Sequence, residues 1–388
     1  MKILVITDKL YPDEYGGSCT VAYELISNWQ KNNSVDIFTC YPEKTTNDNL
    51  FCGYVNRNFK KSNLLSSAFC LRKMLKKTEY DVVVTHSVMS WFVYYLATFY
   101  MCKMHELFAV FHGPWHKEAK LKYQGLNSCW KLYLVVPMMI CLEKLYCRYN
   151  DNFIFLSKYM FNQLCDISSS VANKHIFFIP GGVNIQQNKR KYSKEEARTL
   201  LGLPQEKYII FTLRRLDKRM GLDNAIKALE SMSDNTRKMF LLVVGGSGNY
   251  EKILKRKAQP IIDNVLFTGF IPDEDVNKYF CAADLFLVPT LDLEGFGLVN
   301  LEALACGLPV LATPQGGMLE LADIFDGMYL TADKSYSAIR DGILGLSKKI
   351  VMVKDDMKAY DWENIAQRYI DVFTQSLGLG IGDETAPL

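Results

Sequence analysis

From end to end of its 388 residues, the chain alternates short β-branched apolar runs with longer amphipathic segments. This alternation leaves few folds open. Runs of five or six residues rich in Val, Ile and Phe are too short for helices and have strand character. Strands apolar on both faces, each followed by a helical segment, belong to parallel sheets with crossover helices. In the first half the predicted strands are residues 3–7, 35–39, 82–86, 107–112, 153–157 and 176–180. In the second half they are 208–213, 240–245, 265–269, 285–289 and 310–313. The chain is also too long for one ordinary core and fits two domains of roughly 150 to 200 residues. The expected fold class is therefore α/β, with two doubly wound parallel sheets. Such sheets bind ligands beyond the carboxyl ends of their strands.

The hinge is expected in the polar stretch 184–191, which precedes Ser193-x-x-Glu196, a capping box that opens a new helix. The expected domains are 1–185 and 186–365, followed by 366–388, a helix returning toward the first domain and a frayed, Gly-rich tail. With 49% apolar and 22% charged residues, the composition is globular and excludes extended disorder. A net charge of +3, without a basic stripe interleaved with aromatics, excludes nucleic acid as the main partner. Residues 1–185 hold 20 Lys or Arg against 14 Asp or Glu, and residues 186–388 hold 25 against 28, so the first half is the basic one. Arg72, Lys73, Lys76 and Lys77 fall close together in one helical stretch, which suggests weak attachment to anionic lipid.

The first seven residues are too short for the charged region and apolar core of a signal peptide and are expected to form a strand. The apolar stretches 88–102 and 130–142 fall short of the ~20 residues of a spanning helix and are expected as buried helices. The eleven cysteines show neither a C-x-x-C pair nor zinc spacing, so free packed thiols are expected, with no metal site and no cofactor. Together these features suggest a cytoplasmic protein, with peripheral attachment at the inner face of the membrane.

Residues 284–317 carry the most chemistry. A predicted buried strand gives way to Glu294-Gly295-Phe296-Gly297, then to a helix from Leu298 to about Cys306, stopped by Gly307 and Pro309. The amides of Gly297 to Asn300 and the positive end of the helix dipole suit a diphosphate. Of Glu294 and Glu302, one can meet a sugar hydroxyl and the other a ribose. Gly245-Gly246-Ser247-Gly248 lacks the Lys-Ser/Thr of a P-loop and is expected to be a tight turn.

This segment resembles the signature of retaining glycosyltransferases of GT-B fold, glycosyltransferase family 4: E-G-F-G-L-x-x-L-E-A-x-A-x-G-x-P-V followed by a Gly-Gly pair. The resemblance covers nearly the whole chain. Tyr15-Gly16-Gly17 is similar to the family's glycine loop, and Phe111-His112-Gly113-Pro114-Trp115 to its histidine loop. Arg214-Arg215-Leu216 follows the first strand of the second half. Thr268-Gly269-Phe270-Ile271-Pro272 stands where the family's backbone meets the nucleobase. The resemblance implies two Rossmann-like domains facing a central cleft and a nucleotide-sugar co-substrate. Glu294 and His112 are then catalytic. Donor contacts fall to Gly17, Arg215, Lys218, Arg219, Gly269, Phe270, Ile271, Phe296, Gly297, Leu298 and Glu302, with Glu294 at the transferred sugar and Glu302 on the ribose.

What the resemblance implies is transfer from a UDP- or GDP-sugar to a glycan or lipid-linked acceptor, with retention of configuration. The H-G-P-W and R-R-L-x-x-R-M-G-L variants look most like family members that build bacterial surface polysaccharides. The departing nucleoside diphosphate gains negative charge. Arg215, Lys218, Arg219 and the helix start can meet that charge without a metal. One departure stands out: Met220 occupies the position where the family has a lysine, so the second cation is expected from Lys218 or Arg219, with Arg219 favoured for its fork. The alternatives are a phosphorylase or nucleotide-sugar epimerase on related sheets, or a non-catalytic nucleotide-sugar-binding module. A phosphorylase needs a pyridoxal-binding lysine context, and Glu294, Glu302, His112 and Arg215 together argue against a non-catalytic module.

Overall fold

The structure is a computed structural model that describes residues 1–8, 10–11, 16–39, 55–56, 59, 63–101, 105–125, 129–349, 351, 353 and 355–379. Tyr15 of the glycine loop and residues 380–388 of the expected tail lie outside the described residues. The chain divides into two compact units, residues 1–181 with 362–388, and residues 182–361. The sequence placed the corresponding limits at 185 and 365.

The first unit holds a parallel sheet of seven strands: β1 (Lys2–Thr7), β2 (Ser34–Thr39), β3 (Val55–Asn56), β4 (Val82–Thr85), β5 (Glu106–Phe111), β6 (Asn152–Phe155) and β7 (His175–Phe178). Their order is β3-β2-β1-β4-β5-β6-β7. Ile3 stands beside Val35 on one side and Val82 on the other, so the order reverses between β1 and β4. Such a reversal opens a crevice at the strand ends, because the two connections leave on opposite faces of the sheet. Leu4, Ile6, Phe38, Leu71, Val83 and Tyr94 form one side of the core, and Trp91, Phe111, Tyr146, Phe153 and Phe155 form another.

The helix Trp362–Ser376 belongs to this unit and is fixed there by one indole. Trp29 donates its Nε1 hydrogen to the Ala366 carbonyl at 3.0 Å and lays its ring against Tyr369 and Phe373. Phe108 of β5 meets Phe373 at a centroid distance of 4.6 Å. The apolar face of this last helix thus completes the core of the first unit.

The second unit holds six parallel strands: β8 (Tyr208–Leu213), β9 (Phe240–Gly245), β10 (Val265–Gly269), β11 (Leu285–Val288), β12 (Val310–Ala312) and β13 (Met328–Leu330). The order is β10-β9-β8-β11-β12-β13, which reverses between β8 and β11. Asp284, just before β11, anchors this pair. It accepts the Ile209 amide at 2.7 Å and an Arg198 guanidinium nitrogen at 2.6 Å. Arg198 spends its remaining nitrogens on the carbonyls of Ala282 and Gln205. A buried ion pair satisfied in this way fixes register, whereas one with a partner removed leaves a bare buried charge.

Two expectations need correction. The stretch 130–142 lies in the helix Cys129–Tyr149 but is not buried all round: Trp130, Tyr133, Leu134 and Met138 are 61%, 78%, 69% and 55% exposed. Their spacing puts them on one helix face. Within the stretch 88–102 the helix Val88–Thr98 buries Trp91, Val93, Tyr94 and Ala97, whereas Phe99 and Tyr100 beyond its end are exposed and residue 102 lies outside the described residues. Strands β3 and β13 were not expected, being only two and three residues long.

Trp29→Ala is expected to cost about 3–5 kcal/mol, the range for deleting a buried aromatic, and to lower the urea midpoint of the first unit's unfolding. An unchanged midpoint would show that the last helix docks without the indole.

Candidate functional site

The best-developed constellation lies at the carboxyl ends of β8 and β11, the neighbouring strands between which the second unit's order reverses. Beyond β11 the chain runs through Pro289 and Thr290 to Glu294. Thr290 is fully buried, and its carbonyl accepts from Thr313 Oγ1 at 2.5 Å. Leu293 has φ +54, an uncommon backbone state for a side-chain-bearing residue. Gly317 donates its amide to the Glu294 carbonyl at 3.0 Å, and a Cβ on Gly317 would stand 2.3 Å from the Gly295 oxygen. The second glycine of the Gly-Gly pair therefore lets the chain press directly on the Glu294 loop.

Beyond β8 comes the arginine-rich loop. Gly221 ends it with φ +71, and a Cβ there would lie 1.7 Å from the Pro289 oxygen. Only a glycine admits this approach, which brings the loop against the end of β11. Arg215 is exposed, with Asp217 Oδ2 at 3.6 Å from its guanidinium. Lys218 opens a short 3₁₀ turn, Lys218–Met220. Arg219 donates to the Leu293 carbonyl at 3.0 Å and to that of Asp292 at 3.3 Å, while its own carbonyl accepts the Leu291 amide. Its fork therefore holds the backbone leading to Glu294, a use the sequence did not suggest.

Sequence reasoning also missed Arg214. Its guanidinium, only 6% exposed, forms an ion pair with Glu294 and donates Nε–H to the Met220 sulfur at 3.4 Å. Met220 is buried, which accounts for an apolar residue where the family pattern has lysine.

The remaining donor-site candidates lie around this centre. The helix Leu298–Ala305 starts from Gly297, φ +79, and carries Glu302 in its second turn. The Asn300 amide is bonded to the Gly297 carbonyl at 2.9 Å, so the expected row of free amides shortens to Gly297, Leu298 and Val299, which have no intrahelical acceptor. Phe296 is buried. At the end of β10, the Gly269 carbonyl accepts the Gly246 amide at 2.7 Å, Phe270 is half exposed and Ile271 is buried. Gly245 still belongs to β9, residues 246–248 run on as irregular backbone, and the turn itself falls at Asn249–Tyr250; the segment is bonded to the backbones of Arg214, Leu216 and Gly269.

In the first unit His112 follows β5, and His86 follows β4 on the neighbouring strand. His86 Nδ1 and His112 Nε2 are 3.1 Å apart, so one ring donates to the other, and the rings stack at 16°. His86 is buried, and its Nε2 has no partner among the described residues. Burial, reinforced by His112, holds the His86 ring well below the ordinary histidine value of 6.5. Burial lowers His112 to about 4 against the opposing pull of Asp8. The loop after His112 is fixed from below, because the fully buried Glu143 accepts the His116 amide at 3.3 Å and meets His116 Nδ1 at 2.5 Å. Gly17 is exposed at the start of the helix Gly17–Trp29. Neither His86 nor Glu143 was legible in sequence, since neither belongs to a local motif. Among the described residues no three His, Cys, Asp or Glu side chains gather as a metal site.

The family profile described as Glycosyltransferase Family 4 matches residues 15–187, and the one described as Glycosyl transferases group 1 matches residues 193–355. The chain belongs to this family of GT-B glycosyltransferases. Among individual proteins, it is 34% identical over 180 residues to the GDP-mannose-dependent monoacylated alpha-(1-6)-phosphatidylinositol monomannoside mannosyltransferase of Corynebacterium glutamicum. That alignment covers 44% of this chain and 46% of the relative, so the chain spans about half the length of that relative. Two solved structures share the fold over nearly their whole length. The sucrose-phosphate synthase of Thermosynechococcus elongatus has TM-score 0.77 and 20% identity, covering 98% of this chain and 99% of that one. Anabaena HepE in complex with UDP and glucose has TM-score 0.76 and 19% identity, covering 97% and 100%.

The histidine pair generates a pH dependence. Both rings are neutral in the folded unit, whereas the unfolded chain takes up protons below pH 6.5. Stability is therefore full above pH 6.5 and falls as pH drops toward 4, by up to about 1.4 kcal/mol per pH unit for each ring. Urea unfolding at pH 7 and pH 5 should show a smaller pH loss in the His86→Gln/His112→Gln variant than in the wild type. Equal losses would mean that the rings already carry protons when folded.

Proposed function

We propose that this protein is a glycosyltransferase that moves a sugar from a UDP- or GDP-sugar to a glycan or lipid-linked acceptor with retention of configuration, without a metal, in surface polysaccharide biosynthesis. The observation that carries this reading is the clustering at the reversal between β8 and β11. There a carboxylate with one open oxygen, exposed cationic side chains and a helix N-terminus lie on strands that are neighbours in the sheet. Glycosyl transfer places positive character on the anomeric carbon and negative charge on the departing diphosphate. Glu294 meets the transferred sugar. Arg215, Lys218 and the amides of Gly297, Leu298 and Val299 meet the diphosphate, which makes a bound metal unnecessary. Glu302 holds the ribose, and Gly269, Phe270 and Ile271 receive the base. The GDP-mannose dependence named for the Corynebacterium relative and the UDP bound to HepE support a nucleotide-sugar donor of this kind. In the first unit, His112 is the proposed catalytic histidine and Gly17 a proposed donor contact.

The lipid-linked acceptor has support in the first unit's surface. No helix among the described residues is long and apolar enough to cross a membrane. The helix Cys129–Tyr149 instead presents Trp130, Tyr133, Leu134 and Met138 to solvent, with Lys131 Nζ lying 5.3 Å from the Trp130 ring. A second helix, Leu64–Lys77, exposes Leu65 and Phe69 beside Lys73. Arg72 is spent on the carbonyls of Leu96 and Ala97, which leaves Lys73, Lys76 and Lys77 as its lipid-facing charges. Aromatic rings flanked by lysines suit the headgroup layer of an anionic bilayer, each lysine adding about 1 kcal/mol. The proposed location is therefore peripheral, at the cytoplasmic face of the membrane.

Two measurements test this reading. In a donor-hydrolysis and transfer assay with GDP-mannose and UDP-glucose, Glu294→Gln should lower turnover by about a hundredfold or more with folding intact, while wild-type turnover persists in EDTA. Near-normal turnover of the variant removes Glu294 from the reaction, and loss in EDTA restored only by Mg2+ or Mn2+ removes the metal-free mechanism. The wild type should also sediment with phosphatidylglycerol vesicles at low salt, and the Trp130→Ser/Tyr133→Ser/Leu134→Ser variant should not. Equal sedimentation of the two proteins, or none of either, would exclude this face as the attachment surface.

A further inference from the structure

Two adjacent arginines follow β8, and they point in opposite senses because side chains alternate along an extended chain. The Arg215 side chain is 63% exposed and that of Arg214 is 6% exposed. Arg214 is constrained at both ends. Its amide donates to the Gly245 carbonyl at 3.1 Å. Across from it Gly246, φ +115, has no room for a Cβ, which would stand 1.9 Å from the Arg214 oxygen. At the far end Nε–H goes to the Met220 sulfur and Nη2–H to Glu294 Oε2, while Nη1 is buried with no acceptor among the described residues. An unsatisfied buried donor is unfavourable, so stability alone does not account for an arginine here.

Glu294 shows what the arrangement does. Its Oε2 accepts from Arg214 and also from Thr290 Oγ1 at 2.9 Å. Both protein donors therefore fall on one oxygen, and Oε1 is left for another partner. Two donors from two elements, the loop after β8 and the end of β11, fix both the place and the rotation of the carboxylate. Met220 has a part as well: a lysine there would bring a second charge beside the guanidinium, whereas the thioether supplies a soft acceptor for Nε–H.

We infer that Arg214 is a positioning residue for Glu294. With Thr290 it holds Oε2 and turns Oε1 toward the donor sugar, while the neighbouring Arg215 serves the diphosphate. This inference rests on the reading of Glu294 as the carboxylate that meets the transferred sugar. It separates two tasks that the sequence merges in one Arg-Arg pair: orienting a carboxylate inside the protein, and binding phosphate outside it.

The test compares Arg214→Met, Arg214→Lys, Thr290→Val and Glu294→Gln, with the Arg214→Met/Glu294→Gln double variant. Each is assayed for kcat and KM with GDP-mannose and UDP-glucose, and by calorimetry for binding of GDP and UDP. Arg214→Met should lower kcat about tenfold or more, with the KM of the donor and the dissociation constant of the nucleoside diphosphate moving less than about threefold. Arg214→Lys should recover part of the loss. Thr290→Val, which keeps every charge, should lower kcat in the same sense. In the Glu294→Gln background, Arg214→Met should add little, since two residues acting through one group are not additive. Normal turnover in Glu294→Gln would overturn the reading of Glu294 itself. If that variant is impaired, the inference about Arg214 falls on any of three results: unimpaired kcat in Arg214→Met, weakened diphosphate binding that exceeds the loss in kcat, or full multiplication of losses in the double variant. Should Arg214→Met fail to fold, Thr290→Val and Arg214→Lys decide by the same split between kcat and KM.

Discussion

The pairing of β8 with β11, strands far apart in sequence, is the constraint on which the rest of the second unit depends. In a parallel sheet every crossover returns to the same end, so all the loops that follow strands gather at one edge. Where the strand order reverses, neighbouring loops diverge to opposite faces and leave room between them. The register of this pair is fixed before the chemistry begins, by Asp284 accepting the Ile209 amide and the Arg198 guanidinium. Six residues of β8 and four of β11 then carry the chain to Arg214 on one side and, through Thr290, toward Glu294 on the other. The ion pair between those two residues is the consequence of a backbone pairing made at the opposite end of the strands.

The loops themselves are held by backbone contacts that only small residues allow. Gly221 lets the arginine-rich loop touch Pro289, and Gly317 lets the segment after β12 touch Gly295. Arg219 closes the remaining side by bonding the carbonyls of Asp292 and Leu293. Leu293, with its positive φ, is therefore held by its neighbours on both sides. Positions of this kind persist when the surroundings over-determine them, and here the residue that follows is Glu294.

Much of this was legible in the sequence, and the limits of legibility have physical causes. The parallel sheets were readable because strands covered on both faces are apolar throughout, a pattern that survives without tertiary knowledge. Strands β3 and β13 were not, because Val-Asn and Met-Tyr-Leu lack the β-branched apolar run that marks a strand in sequence. The segment around Glu294 was readable through its glycines and its helix stop. The orientations within the Arg214-Arg215 pair were not, since sequence states two charges and the strand end decides which one turns inward. His86 and Glu143 act across long separations, reaching His112 and His116 through neighbouring strands and helices. The helix Cys129–Tyr149 was misread as buried because apolar content shows that a face wants cover and does not show what covers it.

The two units, each taken by itself, differ in electrostatics, and the difference follows from how each disposes of charge. In the first, burial strips the protons from His86 and His112 and leaves a pair of neutral rings, groups that exchange hydrogen bonds with hydroxyls and carry no net field. In the second, the buried charge of Arg214 is cancelled locally by Glu294, while Arg215 and Lys218 stand at the surface, where a phosphate reaches them without stripping a protein partner from the interior. A fixed cation aids transfer only insofar as it interacts more strongly with the departing diphosphate than with the intact donor. A guanidinium already neutralised by a carboxylate is poorly suited to that role, and an exposed one beside a helix N-terminus is well suited. The same argument makes the buried arginine useful in another way: a charge that cannot leave its carboxylate is a rigid handle on the group that faces the sugar.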